Sequence, residues 1–133
     1  MLPRLAISMG DPAGVGPEVT LKAMAQPDML AMCCPIIVGD LAILQMQQEA
    51  IGAIGVVPIS SVDQARCDGM TVNVLDLGQL SKGAFTPGTV GAASGKAAVE
   101  YVLKAARMTL DGQVDAVVTG PINKEAIRAG GYD

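Results

Sequence analysis

The chain has 133 residues, a length that suits one domain or part of a larger one. Its net charge of −4 comes from scattered acidic residues, and no basic cluster marks a phosphate-backbone surface, so nucleic acid is excluded as a partner. No apolar run approaches the roughly 18 to 20 residues that span a bilayer, and the first residues show no targeting pattern, so we expect a cytoplasmic protein with no membrane partner.

The first strand is predicted at Leu5 to Met9, where a short apolar run stops at Gly10-Asp11-Pro12. Pro17 suits a first helical turn and Glu18 favours the positive end of the helix dipole, so a helix follows and ends before Pro27. A strand followed directly by a helix is the beginning of an α/β pattern.

The pattern continues with a β-branched run at Pro35 to Val38 and a helix-forming stretch at Leu41 to Ile51. Residues 54–57 weakly favour a short strand, and residues 60–63 resemble a helix start. Apolar and polar residues then alternate over residues 70–74, which predicts another strand.

Residues 81–91 have the strongest loop composition in the chain, and we place a candidate boundary there. Residues 1–85 would form a first α/β segment, and residues 86–133 would begin a second lobe. An apolar stripe from Val99 to Leu110 predicts the longest helix.

The last elements are a short buried strand at Asp115 to Thr119 and a short helix that stops at Gly130-Gly131. Half of the residues are hydrophobic and only 2% are aromatic, a composition typical of helices packed on buried strands. We therefore predict an α/β fold with a mostly parallel sheet flanked by helices.

Three loops follow strands of this predicted sheet: Gly10 to Gly16, Gly39-Asp40, and Thr119 to Lys124. Ligands of parallel sheets bind beyond the carboxyl ends of the strands, so we expect all three loops to face the same side. Gly10, Gly14 and Gly16 would let backbone N–H groups approach a phosphate or carboxylate, although glycine at such a turn is often only turn chemistry.

Two other glycine patterns fail as nucleotide signatures. The first loop reads G-x-x-x-G-x-G, which differs from the dinucleotide fingerprint G-x-G-x-x-G, so we reject a Rossmann site. Gly91 to Ala97 has three residues between its glycines and ends in alanine, so it is better interpreted as a helix start than as a phosphate loop. In the third loop, Asn123 and Lys124 could orient a hydroxyl or neutralise a phosphate, or could simply be solvated.

Two residue types limit the chemistry further. The sequence contains no histidine, so an imidazole base or metal ligand would have to come from elsewhere. Cys33, Cys34 and Cys67 show no C-x-x-C spacing and suggest neither a disulfide framework nor a zinc site. We expect buried structural thiols in a reducing compartment.

Three segments resemble the 4-hydroxythreonine-4-phosphate dehydrogenase family: Met9 to Glu18 (MGDPAGVGPE), Thr86 to Ala97 (TPGTVGAASGKA) and Asp115 to Glu125 (DAVVTGPINKE). The resemblance covers essentially the whole chain and implies a fold like that of isocitrate and isopropylmalate dehydrogenases. The form MGDP is also similar to relatives that act on phosphorylated threonate or erythronate.

The resemblance implies an enzyme that oxidises, with decarboxylation, a phosphorylated hydroxy acid such as 4-phosphooxy-threonine, in pyridoxal phosphate (pyridoxine) biosynthesis or sugar-acid catabolism. The family uses NAD and a divalent metal such as zinc, magnesium or cobalt, held by histidines that polarise the reacting oxygen through the metal. These histidines and most of the nucleotide site have no match here, so the resemblance implies a truncated amino-terminal part that is inactive alone and assigns no metal ligand or cofactor-binding residue to it.

The motif match implies that Gly10, Asp11, Gly14 and Gly16 shape one wall of the active cleft and that Thr119, Asn123 and Lys124 form the other. Asp11 and Lys124 are the candidate catalytic residues: Lys124 would contact substrate electrostatically or relay a proton, and Asp11 would orient the substrate or the loop.

Two other functions remain open, namely a short binding or assembly module and a phosphate acyltransferase-like enzyme on a related scaffold that uses no NAD. We also expect the isolated chain to self-associate through the face that its missing elements would cover, and the family resemblance implies a homodimer.

Overall fold

The computed structural model describes residues 1–51, 55–80 and 83–133 of the chain and contains one parallel sheet. The strands are β1 (Arg4–Ser8), β2 (Cys34–Gly39), β3 (Val56–Ile59), β4 (Val72–Asp76) and β5 (Ala116–Thr119). They lie in the order β3-β4-β2-β1-β5, and every neighbouring pair is parallel. The predicted α/β fold with a parallel sheet is therefore confirmed.

The helices between the strands are α1 (Gly16–Met24), α2 (Met29–Met32), α3 (Leu41–Ile51), α4 (Ala92–Leu110) and α5 (Lys124–Ala129), and a 3₁₀ turn spans Val62–Gln64. The longest, α4, lies against β1, β2 and β5, while α1 packs on α3. Within the described residues, none of these helices has both the length and the apolar character that a membrane crossing requires.

The core surrounds β2, whose six residues are all buried. Tyr101, Ala105 and Met108, on the buried face of α4, complete the core together with Leu21 of α1. Burying this apolar surface is the main source of stability, at roughly 25 cal/mol for each Å² removed from water.

The short strand predicted at the end of the chain is present as β5, but the prediction that it is buried is wrong. All four of its residues are exposed, and Val118 keeps 47% of its surface accessible. The reason is its place in the sheet, because β5 is the last strand in the order and pairs only with β1.

Most other element predictions are confirmed. The predicted helix at Leu41–Ile51 coincides with α3, and α4 begins at Ala92, within the segment interpreted as a helix start. In the weakly predicted region, the strand is Val56–Ile59 and the expected helix start is a single 3₁₀ turn. Residue 54 of that prediction, and residues 81 and 82 of the predicted loop, lie outside the described residues.

The expectation of three free buried thiols is wrong for two of the cysteines. Cys34 and Cys67 form a disulfide, with their Cα atoms 4.8 Å apart, and Cys33 is free and buried. The parallel pairing of β2 with β4 brings the connection before β4 alongside the start of β2. Sequence spacing could not show this contact, because the two cysteines are 33 residues apart.

The segments on either side of the candidate boundary contribute to the same sheet. β5, from the second segment, pairs with β1, from the first, and α4 packs on both β1 and β2. The division into segments 1–85 and 86–133, with a second lobe beginning in the latter, stays a prediction.

Candidate active site

The loops that follow β1 and β5 lie side by side at the carboxyl ends of the strands, which we call the carboxyl rim. The Asp11 N–H donates to the Pro121 carbonyl over 2.8 Å, and the Gly120 N–H donates to the Ser8 carbonyl over 2.9 Å. The two loops that the sequence placed on one side of the sheet are thus directly hydrogen-bonded to each other.

Glycine is required where these loops touch. Gly10 has a φ of +81°, and a Cβ atom there would lie 2.4 Å from the Pro121 carbonyl oxygen. A Cβ atom at Gly16 would lie 2.4 Å from the Met9 carbonyl oxygen. Gly14 differs, because its nearest neighbours would be 3.7 Å away, an ordinary contact. Gly10 and Gly16 therefore shape the loop, while a Cβ atom at Gly14 would make only ordinary contacts with Asp11.

A third segment closes the cleft, and the sequence did not identify it as part of a site. The Gly88 N–H donates to the Ala13 carbonyl over 2.6 Å, which ties the segment before α4 to the first loop. The cleft between the three segments has a volume of about 210 Å³. It is lined by Asp11, Ala13, Gly14, Val15, Gly88, Thr89, Val90, Pro121, Ile122 and Asn123. Its only signals in the sequence were the glycine and proline content and the family resemblance of residues 86–97.

Asp11 is buried in the floor of this cleft. Its Oδ1 accepts a hydrogen bond from the Ala13 N–H over 2.8 Å, and its carbonyl accepts one from the Gly14 N–H over 3.0 Å. These bonds hold the first loop in its turn.

Asn123 lines the cleft from the opposite side and caps α5. Its Oδ1 accepts from the Ala126 N–H over 3.0 Å, as expected of an N-cap residue. Since the amide oxygen is occupied, the Nδ2 group is the part that remains for a ligand.

The structure does not bring all the predicted site residues together. Lys124, the first residue of α5, is exposed and lines a separate depression with Ile127, Arg128 and Asp133. Thr119 lies in the exposed strand β5 and is not among the residues that line the cleft. Neither side chain faces the same cavity as Asp11.

The Gly39-Asp40 loop follows β2 and also lies at the carboxyl rim. Asp40 is buried, and its carboxylate accepts hydrogen bonds from the Tyr101 hydroxyl and from the Leu80 N–H. Burial raises the pKa of Tyr101, and the hydrogen bond to Asp40 raises it further. Asp40 therefore ties this part of the rim to α4 and to Leu80.

A second carboxylate supports the rim in the same way at the end of β4. Asp76 Oδ1 accepts from the Leu41 N–H and from the Gly78 N–H, each over 3.1 Å. Asp11, Asp40 and Asp76 thus lie at or just after the ends of the neighbouring strands β1, β2 and β4. Each of these carboxylates accepts a hydrogen bond from a backbone N–H.

The position of α5 depends on a glycine in α4. A Cβ atom at Gly95 would lie 1.8 Å from the Ala126 carbonyl oxygen, so only glycine allows the two helices to pack so closely. Gly95 is the second glycine of the rejected phosphate-loop pattern. Its role is to let α5, which Asn123 caps and Lys124 begins, pack closely on α4.

Comparison with known proteins identifies the family of the chain. Residues 31–133 match the family described as pyridoxal phosphate biosynthetic protein PdxA. The chain belongs to the PdxA family. It is similar to D-threonate 4-phosphate dehydrogenase of Cupriavidus necator, with 36% identity over 132 residues that cover 98% of this chain and 39% of the relative.

Solved structures of dehydrogenases share the fold. A 4-hydroxythreonine-4-phosphate dehydrogenase from Burkholderia phymatum superposes with a TM-score of 0.92 at 35% identity, covering 99% of this chain and 40% of that one. A terephthalate 1,2-cis-dihydrodiol dehydrogenase from Burkholderia xenovorans gives a TM-score of 0.78 at 31% identity, covering 100% of this chain and 38% of that one. The chain thus spans about two fifths of the length of these relatives.

Proposed function

We propose that the intact protein containing this chain is an NAD-dependent, divalent-metal-dependent dehydrogenase that oxidises and decarboxylates a phosphorylated hydroxy acid. The observation that carries the proposal is the cleft at the carboxyl rim, where the segments that match the family in sequence meet in space. The substrates we favour are 4-phosphooxy-threonine, as in pyridoxal phosphate biosynthesis, and the 4-phosphates of threonate and erythronate. The chain itself is the amino-terminal part and is inactive alone.

The contribution of this chain is to hold the acid. Val15 lines the cleft and precedes α1, whose N-terminus has no side-chain cap among the described residues. Free N–H groups and the helix dipole favour an anion at such an end. Glu18, in the first turn, is paired with Lys22 at 3.2 Å, which reduces its repulsion of an incoming phosphate or carboxylate.

The residues of this chain do not fit a metal centre. The sequence has no histidine, and the described part of the chain contains no cluster of three or more potential metal ligands. We therefore assign the metal, whether zinc, magnesium or cobalt, and NAD to other parts of the intact protein, and derive no step through them.

Asp11 and Lys124 have different parts in the proposal. Asp11 orients the first loop, since its Oδ1 is bonded to the Ala13 N–H. Lys124 follows Asn123 directly, so it would add positive charge beside the cleft and favour a doubly charged phosphate. Gly14 and Asn123 would contact the substrate, while Gly10 and Gly16 keep the loop backbone close to it.

The direct test is an assay of the intact protein with NAD, a divalent metal and each of the three phosphorylated acids. NADH should form with at least one of them and not with the corresponding unphosphorylated acid. A transferase on this scaffold would yield no NADH, and a cis-dihydrodiol that served as well as the phosphorylated acids would overturn the proposed substrate class.

Variants of Asp11 separate its two possible roles. Asp11→Asn keeps an oxygen for the Ala13 N–H but removes the charge, whereas Asp11→Ala removes both. If Asp11 orients the loop, Asp11→Asn should retain most of the catalytic efficiency and Asp11→Ala should lose it. An equal loss in both variants would instead place the charge against the substrate.

Lys124→Ala tests the proposed charge beside the cleft. It should lower kcat/KM for the phosphorylated acid, while Lys104→Ala, which removes an exposed lysine from α4, should not. Unchanged kinetics in Lys124→Ala would remove Lys124 from the proposal.

We also propose a cytoplasmic homodimer as the intact form and self-association of the isolated chain. The exposed strand β5, with Val117 and Val118, supports self-association because an open edge pairs readily with another strand. Light scattering that shows a monomer at micromolar concentration would contradict it for the isolated chain, and intact mass measurement would show whether Asp133 is followed by further residues.

A further inference from the structure

The disulfide lies at the amino end of the sheet, away from the candidate active site. Cys34 is the first residue of β2 and is fully buried, whereas Gly39, at the carboxyl rim, is the last. Cys67 lies in the connection between β3 and β4 and is exposed. Cys67 is thus the residue of the pair that a small reagent can approach from solution, and Cys34 is enclosed.

Besides the disulfide, a buried amide binds this connection through backbone groups. Asn73 of β4 donates from Nδ2 to the Pro35 carbonyl over 3.0 Å and to the Arg66 carbonyl over 3.1 Å. Its Oδ1 accepts from the Arg66 N–H over 2.9 Å. Asn73 Nδ2 also lies 3.9 Å from Cys34 Sγ. The three shorter bonds go to backbone groups of Pro35 and Arg66, so they can hold Arg66 beside β2 whether or not the neighbouring Cys67 is cross-linked.

The reduced pair also fits this site. The Arg66 carbonyl oxygen lies 3.6 Å from Cys34 Sγ, so a thiol at Cys34 has an acceptor for its proton. The reduced and oxidised pairs can therefore share one backbone conformation. This favours rapid formation of the disulfide, because the two thiols start close together.

The third cysteine does not compete for the cross-link. Cys33 is buried, and its thiol points to the Met29 carbonyl at 3.3 Å. Burial raises the pKa of the Cys33 thiol, and the thiol form is a poor nucleophile.

We propose that Cys34 and Cys67 are a reversible thiol/disulfide pair that exchanges with small disulfides and thiols through Cys67, its exposed residue, with no rearrangement of the sheet. During oxidation, the Cys67 thiolate attacks one sulfur of a small disulfide such as glutathione disulfide and releases the first thiol. The Cys34 thiolate then attacks the Cys67 sulfur, forms the Cys34–Cys67 bond and releases the second thiol. The reagent gains two electrons and two protons, and the protein loses two hydrogens.

Peptide mapping of the protein, equilibrated in glutathione buffers of increasing oxidised fraction, tests the pair directly. Trypsin would cut after Lys22, Arg66 and Lys82, which places Cys33 and Cys34 in one peptide and Cys67 in the next. The two peptides should become linked as the buffer is oxidised, with two of the three thiols lost, and should separate again in dithiothreitol.

Matched variants identify the partner of Cys67. The link should persist in Cys33→Ala and vanish in Cys67→Ser, an exposed substitution that the fold should accept. A link that disappears in Cys33→Ala, glutathione that remains on Cys67 without a link, or three thiols that stay free in oxidised buffer would each overturn the proposal.

Amide hydrogen exchange of wild-type protein tests the unchanged backbone without any variant. The Arg66 amide should be equally protected in the oxidised and reduced protein, because Asn73 is its acceptor in both. Loss of that protection on reduction would show that the connection moves, and the proposed pair on a fixed backbone would be wrong.

Discussion

The two ends of the sheet are held together by different chemistry. At the amino end, the Cys34–Cys67 disulfide and the Asn73 amide bind one connection to β2 through side chains. At the carboxyl rim, carboxylates such as Asp11 bind loop backbone, and Gly10 lets two loops meet. Loops at the rim enclose a cleft, whereas at the amino end a covalent cross-link joins a connection to β2, so the difference separates the candidate ligand site from the candidate redox pair.

The largest expected effect is at the carboxyl rim, in Gly10→Ala. The new Cβ would overlap the Pro121 carbonyl oxygen at 2.4 Å, and alanine would have to adopt a φ of +81°. We expect a loss of more than about 2 kcal/mol in the free energy of unfolding, measured by urea denaturation. Gly14→Ala is the matched control and should change stability by less than about 0.5 kcal/mol. Equal effects would mean that contact between the loops does not decide stability at this rim.

The next effect is at the amino end, in Cys67→Ser. Removing a cross-link between residues 33 apart frees the unfolded chain, and we expect a loss of about 2 to 4 kcal/mol under oxidising conditions. In dithiothreitol, the variant and the wild type should unfold at the same denaturant concentration. A difference that persists in reductant would show that the sulfur atom acts through packing.

A smaller loss is expected in Tyr101→Phe, which removes a support of the carboxyl rim. Asp40 would stay buried without its hydroxyl donor, at a cost of about 1 to 3 kcal/mol in the free energy of unfolding. Tyr132→Phe removes a part-buried hydroxyl that donates to Glu100 and should have a much smaller effect.

The same tyrosine predicts a pH dependence. The pKa of Tyr101 is raised by burial above its ordinary value of 10.0, so its contribution to stability is present below that pH and is lost as the pH rises beyond it. Stability measured above pH 10 should therefore fall more steeply in wild type than in Tyr101→Phe. Parallel pH curves would contradict a buried, protonated Tyr101.

The smallest expected effect is that of Asp68, in the connection between β3 and β4 at the amino end of the sheet. Hydrogen bonds from the Met70 N–H and the Thr71 side chain lower the pKa of Asp68 below its ordinary value of 3.8. Its contribution to stability is present above that value and is lost as the pH falls through the lower pKa of the folded state. In Asp68→Asn, the midpoint of thermal unfolding should depend less on pH in the acid range than in wild type. The same acid dependence in both proteins would contradict this contribution of Asp68.

The fold could be predicted largely because strand and helix signals are local. Glycine and proline mark the ends of β1 and α1, and the apolar period of α4 is long enough to identify a helix. The burial of each strand was harder to predict than its position in the sequence. β2 and β5 are similar short apolar runs, yet β2 is buried and β5 is exposed, because strand order places one inside the sheet and the other at its edge.

The candidate site was predicted in part. Asp11 and Asn123 do face one cleft, since loops at the carboxyl ends of parallel strands meet at one rim. Gly88 and Thr89 were missed, because they precede a helix and follow no strand. The direction of the Lys124 side chain depends on how α5 rests on Gly95, a contact that sequence periodicity does not encode.

By itself, the sequence determined the alternation of elements, the side of the sheet on which the glycine loops lie and the family to which those loops belong. All of these depend on residue order along a single strand, turn or helix. Only the tertiary structure decided which strand is exposed, which cysteines pair and which loop completes the cleft. Each of these depends on contacts between residues distant in sequence, and strand order in the sheet sets those contacts.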